Sequence, residues 1–367
     1  MKLIRKLEKK IMKMLKSLFN FLRKKRQEIS TRALWRRKAK RYVGPSVLTA
    51  SQKKEIKEFY GKYKKADFLF HEFYTQKTGR FDKNYIPDDI YYQKIDPYFN
   101  NWETAYYLDN KCFYDEWYFK GINIPKTVVK RINGMWSVKE EKTIRFVSKE
   151  EAYKLISTRD CFAKQAVSSC GGSGVKKICK GTPINEIDKI VGSLKSDIVV
   201  QEAIEQSEEM NKLNSTSVNT VRVLSFLDLE GNVKVYSSIV RMGINGAIVD
   251  NASSGGITCG IESDGRLKSV GYASNGKKFE VHPSSGLKFS EVVIPNYNKI
   301  LSLAGELHKS FPHFRLLSWD FAVDKNDEPL VIEVNLCYGE LDFHQLNNGP
   351  LFAEDTEKIL KEVFSKK

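Results

Sequence analysis

Apolar, β-prone residues concentrate in two short stretches near the C-terminal end, Trp319 to Val323 and Leu330 to Val334. The run Asp324-Lys-Asn-Asp-Glu-Pro329 between them is a cluster of turn formers, so the pattern predicts a hairpin. Upstream, Asp160 to Val167 and Val175 to Cys179 read as strands flanking the glycine-rich Ser168-Ser-Cys-Gly-Gly-Ser-Gly174, and Ile198 to Glu202 reads as a further strand. Helix signals lie at Ser51 to Tyr63, Asn185 to Leu194, Asn296 to Phe311 and Glu354 to Phe364, with Ser148-x-x-Glu151 as a capping box. From 201 to 345 long hairpins alternate with the 296–311 helix. Little periodicity follows the first of these helices before residue 110. The many Tyr and Phe between 59 and 119 are expected to form a packed scaffold in preference to a sugar-stacking surface. The chain reads as α+β, without repeats or low-complexity segments.

The predicted hairpin carries Asp320 on its first strand and Glu333 and Asn335 on its second. Period two puts Glu333 and Asn335 on one face, and the turn can bring Asp320 beside them. Carboxylate and amide oxygens are what Mg2+ prefers, with few protein ligands and the remainder from phosphate. An ordinary hairpin with an acidic solvent face is the competing reading. Glycine-rich loops such as Gly171-Gly172-Ser173-Gly174 let backbone N–H groups approach phosphate, and Lys164 on the incoming strand adds a charge. The loop is not a P-loop, since no GxxxxGK[ST] is present and strands flank it, so a structural turn is its alternative.

The order of these pieces changes their meaning. Strand, glycine loop and lysine are followed by Ile198-Val-Val-Gln-Glu202, Asn219-Thr-Val-Arg222, Arg241, Asp250-Asn251, Gly255-Gly256 and the acidic hairpin. That succession resembles the ATP-grasp superfamily, and more closely its sugar-transfer-associated branch, found with bacterial surface-polysaccharide genes. The closer match rests on Phe73 to Asn100, Leu108 to Gly134, Asn219 to Phe226 and Ile239 to Gly256, within residues 68–355. The resemblance implies an ATP-grasp fold, two antiparallel α+β subdomains gripping ATP. It implies that Gly171, Gly172, Ser173 and Gly174 close over the phosphates with Lys164, that Lys111 reaches the α-phosphate or adenine, and that Gln201 and Glu202 meet adenine and ribose. Asp320, Glu333 and Asn335 match Mg2+ ligands, with Glu333 bridging two ions. Arg222 and Arg241 match residues that hold the γ-phosphate and an acyl phosphate, and Asn251 with Gly255-Gly256 matches a substrate-side loop. The loop sequence SSCGGSGV departs from the more regular Gly-Ser pattern of many relatives. Asn214 and Ser217 read as linker residues. Glu340-Leu-Asp-Phe-His-Gln345 reads as a substrate contact or as a loop packed on the sheet.

Charge adds a separate element. The 367 residues carry a formal net charge of +16, and the first 42 hold 17 basic and 2 acidic residues, against 44 and 43 in the other 325. Leu3, Ile4, Leu7, Ile11, Leu15, Leu18, Phe19 and Leu22 follow helical spacing among these basic residues. A basic amphipathic helix over 1–42 reads as an element for an anionic membrane surface, with docking on its own protein and a nucleic-acid arm as alternatives. No nucleic-acid partner is expected. The helix has no apolar run of bilayer length and no uninterrupted signal-peptide core. Six cysteines without a CxxC pair fit reduced thiols in a cytoplasm, at the inner face of the membrane. Four segments are expected: 1–42, an aromatic-rich 43–110, a small subdomain 111–200 with the glycine hairpin, and a C-terminal subdomain 201–367 with the metal site.

The function expected from the resemblance is an ATP- and Mg2+-dependent carboxylate–amine ligase working through an acyl phosphate. Its substrates would be a carboxylate, for example a hexuronic acid of a glycan, and an amine, in surface-polysaccharide biosynthesis. A kinase of the same fold and a nucleotide-binding, non-catalytic scaffold are the alternatives.

Overall fold

The computed structural model describes residues 29–365 apart from 31, 66, 142, 168–173, 195–196, 248–249 and 251–254. The described chain forms two compact units, one running to Ile95 and taking back Glu354 onward, the other Asp96–Ala353.

The first unit is helical. Residues 32–42 form a helix whose Trp35 ring stacks on Tyr92 with centroids 4.2 Å apart, while Arg32 pairs with Asp89 at 3.0 Å. The basic stretch Trp35 to Arg41 at the end of the 1–42 segment is therefore packed against its own unit; the amphipathic pattern from Leu3 to Leu22 lies outside the described residues. Helix Ala50–Tyr60 starts with a complete capping box, Thr49 and Gln52 exchanging bonds. The stretch without sequence periodicity is also helical. Helix Leu69–Thr78 buries Phe70, His71, Glu72, Phe73 and Tyr74 in succession, and a helix covered on several sides has no amphipathic stripe to read. Tyr60, Tyr74, Tyr85 and Tyr91 are all buried, as a packed aromatic scaffold requires.

The second unit holds two antiparallel sheets. The smaller contains β1 (Thr127–Ile132), β2 (Met135–Lys139), β3 (Ile144–Val147), β4 (Cys161–Gln165), β5 (Val175–Ile178) and β6 (Ile198–Glu202), in the order β3-β2-β1-β6-β4-β5. Asn133 and Gly134 join β1 to β2 at φ 51° and 81°, the doubly left-handed turn that Asn-Gly supplies most readily. Helices Lys149–Ser157 and Ile184–Gly192 cover this sheet through Ile156, Ile187 and Val191. Ser148 caps the first of them, its Oγ accepting from Glu151 N at 3.1 Å. The Glu151 carboxylate goes to Arg145 at 2.9 Å, so only the serine half of the expected box is seen.

The larger sheet contains β7 (Thr220–Leu227), β8 (Val233–Met242), β9 (Ile257–Ile261), β10 (Leu267–Ala273), β11 (Lys278–Phe279), β12 (Leu316–Val323) and β13 (Pro329–Asn335), in the order β11-β10-β9-β8-β7-β12-β13. Helix Tyr297–His308 packs on it over a core that includes Trp319, Phe321 and Val223. The β12–β13 hairpin forms as the sequence predicts. Asp324 Oδ1 accepts from Asn326 N and Glu328 N at 2.8 and 3.1 Å, fixing the turn. Asp320 pairs with Glu333 and Ser318 with Asn335, and a bulge follows Asp320.

Asn214, Ser217 and Asn219 are buried, not linker residues. Asn219 Nδ2 donates to Gln206 Oε1, Met210 O and Asn214 O, which anchors the chain just before β7. Asn219→Ala should leave these buried acceptors short of a donor and cost about 2 kcal/mol or more in urea unfolding, whereas an exposed substitution such as Lys288→Ala should change little.

Candidate active site

The large sheet carries a row of buried charges on one face. Asp320 lies directly across from Arg222 of β7, and Arg241 of β8 lies across from Thr220, two residues from Arg222. Arg222 grips Asp320 with both arms of its fork, Nε to Oδ1 and Nη2 to Oδ2, each 2.7 Å. Arg241 Nη1 reaches Oδ2 at 3.2 Å. Burial opposes ionisation of Asp320, but the two guanidinium groups outweigh it and hold the carboxyl at about 2. Two more carboxylates complete the cluster. Glu340 pairs with Arg222 Nη1 at 2.7 Å, and Asp250 with Arg241 Nη2 at 3.6 Å and with the Thr220 hydroxyl. His344 sits behind Glu340, and burial together with Arg222 lowers its imidazole to about 3, so it is neutral.

A second group joins the sheets. Lys111, from the turn Lys111–Phe113, donates to Glu333 Oε1 at 2.6 Å, and its backbone N–H bonds to Ala166 O beyond β4. Lys164 on β4 donates to Gln201 Oε1 on β6 at 2.9 Å. Burial, then the neighbouring Lys111 charge, lowers the Lys164 amine to about 8, while Glu333 acts in the other direction. The Lys111 ammonium is disfavoured by burial yet ends above its ordinary value, because Glu333 and Asp109 face it. Asp109 Oδ1 is buried and makes no hydrogen bond. Asn335 donates to Ser318 O at 3.3 Å and lies beside Asp320.

Among the described residues no cluster of three or more His, Cys, Asp or Glu side chains is spaced to hold a metal ion. The donors present are the opposed carboxylates of Asp320 and Glu333 and the amide of Asn335. That oxygen-rich, sparse set fits Mg2+, which takes one or two carboxylates and completes its shell with phosphate and water.

Residues 91–361 match the model of the sugar-transfer associated ATP-grasp family. The chain belongs to that family. Solved structures similar to it include an N5-carboxyaminoimidazole ribonucleotide synthetase in its ADP complex, with 10% identity, 64% of this chain and 46% of that chain covered, and a TM-score of 0.40. D-alanyl-alanine synthetase A from Vibrio cholerae has 12% identity, 70% and 66% coverage and a TM-score of 0.40. The biotin carboxylase domain of Hydrogenobacter thermophilus 2-oxoglutarate carboxylase, solved with MgADP, ADP and bicarbonate, has 13% identity, 74% and 48% coverage and a TM-score of 0.41. The chain spans about half to two-thirds of the length of these proteins. No curated protein matches it significantly.

Within the family fold, Arg222, Arg241, Asp320, Glu333, Asn335, Lys111, Lys164 and Gln201 converge as the sequence order suggested. Glu202 does not join them. Side chains alternate along β6, so Glu202 projects away from Gln201, and Arg159 and Lys126 hold its carboxylate at 2.7 and 3.3 Å. Gly174 closes the β4–β5 ladder through its carbonyl to Gln165 N. Gly171, Gly172, Ser173 and Asn251 lie outside the described residues. Asp109 and Thr220 lay within segments singled out in the sequence but were given no role, although each stands two residues before a basic residue of the site. Of the two readings of the segment from Glu340, packing on the sheet is the one the structure displays: helix Asp342–Asn348 lies there with His344 on Ser237 at 2.7 Å, and Glu340 pairs with Arg222.

Because the fold disfavours the charged Lys164, its contribution makes the folded chain more stable as pH rises from about 8 toward 10.5. Amine-reactive labelling followed by peptide mass mapping should show Lys164 half-modified near pH 8, well below an exposed lysine such as Lys54. Bound nucleotide phosphates should move that midpoint upward.

Proposed function

We propose that this chain is an ATP-dependent ligase that joins a carboxylate to an amine through an acyl phosphate, with a glycan or glycan precursor as the carboxylate substrate. The observation that carries the reading is the pair of opposed carboxylates, Asp320 and Glu333, each already matched with basic groups: Arg222 and Arg241 on one side, Lys111 on the other. Phosphoryl transfer asks a protein mainly for alignment and charge neutralisation, and this face offers both. Asp320, Glu333 and Asn335 would hold Mg2+, which when bound neutralises phosphate charge. Lys164 and Lys111 neutralise the phosphate tail. A substrate carboxylate oxygen attacks the γ-phosphorus, the bond to the β-phosphate oxygen breaks, and ADP leaves. Arg222 and Arg241 hold the resulting acyl phosphate. The amine nitrogen then attacks the acyl carbon, the carbon–oxygen bond to phosphate breaks, and the amine proton passes to solvent. The family's sugar-transfer association supports a glycan substrate.

The same reading places the chain at a membrane surface, where a lipid-linked glycan would be met. Its support is the basic amphipathic pattern before residue 29. No helix among the described residues is long and apolar enough to cross a membrane.

Glu333→Gln removes one charge at constant volume. It should cut acceptor-dependent ADP release about a hundredfold or more while the circular-dichroism spectrum stays that of the parent, with a lowered unfolding midpoint because the buried Lys111 loses its partner. With a uronic acid and hydroxylamine, the parent should yield a hydroxamate, and Arg241→Ala should lose that product far more than it loses ATP affinity. A stable phosphorylated sugar in place of the hydroxamate would assign a kinase, and tight nucleotide binding with no ADP formed under any condition a scaffold. Deletion of 1–28, which leaves the packed 32–42 helix in place, should abolish sedimentation with anionic liposomes and preserve ADP release. Sedimentation that survives the deletion would put the membrane contact elsewhere.

A further inference from the structure

Beyond Asn335 the chain runs through Leu336-Cys337-Tyr338-Gly339 to Glu340, and Tyr338 adopts φ 58°. A bulky residue takes this left-handed backbone only under constraint. The constraint is Asp96, a carboxylate 1% exposed. Its Oδ2 accepts from Tyr338 N at 3.1 Å and from Trp102 Nε1 at 2.9 Å, and its Oδ1 accepts from Asn100 Nδ2 at 3.0 Å. Asn100 in turn bonds Leu316 O at 2.7 Å, which ties the arrangement to the start of β12. Burial raises the Asp96 carboxyl to about 6 in spite of these donors, so the arrangement is not one the fold adopts without cost.

The product of this strained turn and buried acid is an aromatic pair. The Tyr338 ring packs on Trp102 with centroids 4.4 Å apart and remains 47% exposed, two residues from Glu340 and three from Asn335. The Trp102 indole N–H is already used by Asp96. What the pair offers a ligand is chiefly ring face, held on the segment that joins Asn335 to Glu340, with the Glu340 carboxylate close by in the chain. The C–H face of a pyranose suits the electron-rich face of an aromatic ring, and its hydroxyls suit a neighbouring carboxylate.

We propose that Trp102 and Tyr338 form a stacking platform for a pyranose ring of the substrate, with Asp96 as the positioning residue that holds it. This rests on the reading of the substrate as a glycan. It goes beyond that reading by naming the residues that would recognise the sugar. The nucleotide uses a different part of the site, at Lys111 and Lys164.

Saturation-transfer NMR on the full chain with the methyl glycosides of glucuronic acid, galacturonic acid and N-acetylglucosamine tests it. At least one should bind, with the strongest transfer to ring C–H protons. Tyr338→Gly, which suits the left-handed backbone, and Trp102→Leu should each weaken that binding tenfold or more, and Tyr338→Phe should retain it. Mg-ADP affinity, measured alongside, reports that each variant is folded. Asp96→Leu, which removes the acceptor of both Tyr338 N and Trp102 Nε1, should weaken sugar binding severalfold without altering Mg-ADP affinity. Sugar binding by the parent that persists in both ring variants would overturn the platform and leave the ligase reading standing. Absence of binding by all three glycosides, in a chain that forms hydroxamates from amino-acid carboxylates, would overturn the glycan reading and the platform with it.

Discussion

The arrangement of the site depends on one buried interaction, the grip of Arg222 and Arg241 on Asp320. Three strands of the large sheet supply the three side chains, and register alone brings them together: Asp320 is opposite Arg222, and Arg241 is two pairs further along. Such a cluster is a weak source of net stability, because its Coulomb energy is set against the desolvation of every member. Loss of one partner is another matter, since it strands a charge in the interior at a cost of about 3–5 kcal/mol. The cluster therefore fixes side-chain geometry more than it holds the fold together. The large hydrophobic core around Trp319 and Phe321 does the latter.

On the proposed reading, the same cluster lets a sheet interior accept a polyanion. Arg222 contacts both Asp320 and Glu340, and Arg241 contacts both Asp320 and Asp250. Each guanidinium is thus shared among carboxylates, and a ligand that changes the charge on one acid alters the hold of the arginines on the rest. Lys111 and Glu333 repeat the principle on a smaller scale, with Asp109 as the additional acid. Phosphate and cation would enter a site whose charges are already paired, so binding exchanges partners where an unpaired site would have to be neutralised from nothing.

Much of this was legible in the sequence because the signals were local. Six turn-forming residues between two apolar runs define the β12–β13 hairpin, and period two then decides which of its side chains share a face. Helices with one exposed side, such as Ile184–Gly192 and Tyr297–His308, announced themselves to within a few residues. After the helix Ala50–Tyr60, which the sequence did announce, the stretch up to residue 95 did not, because helix Leu69–Thr78 is buried on several sides and a short π-helical turn occurs at Tyr91–Ile95. Residues whose role comes from long-range contact were equally opaque. Nothing near Asp96 in sequence indicates that it bonds a backbone N–H at Tyr338. The partners of the Glu202 carboxylate, Arg159 and Lys126, were equally hidden, since both lie more than 40 residues away in the chain.

Transfer of an oxygen atom tests the central claim most directly. If Asp320, Glu333, Arg222 and Arg241 serve to activate a carboxylate, a uronic acid labelled with ¹⁸O in its carboxyl group, incubated with Mg-ATP and the amine acceptor, should give up one labelled oxygen to each phosphate released. Mass spectrometry of the phosphate reads this without assumptions about rate. Phosphate carrying one ¹⁸O in proportion to amide formed is the predicted result, and amide formed together with unlabelled phosphate would contradict the account.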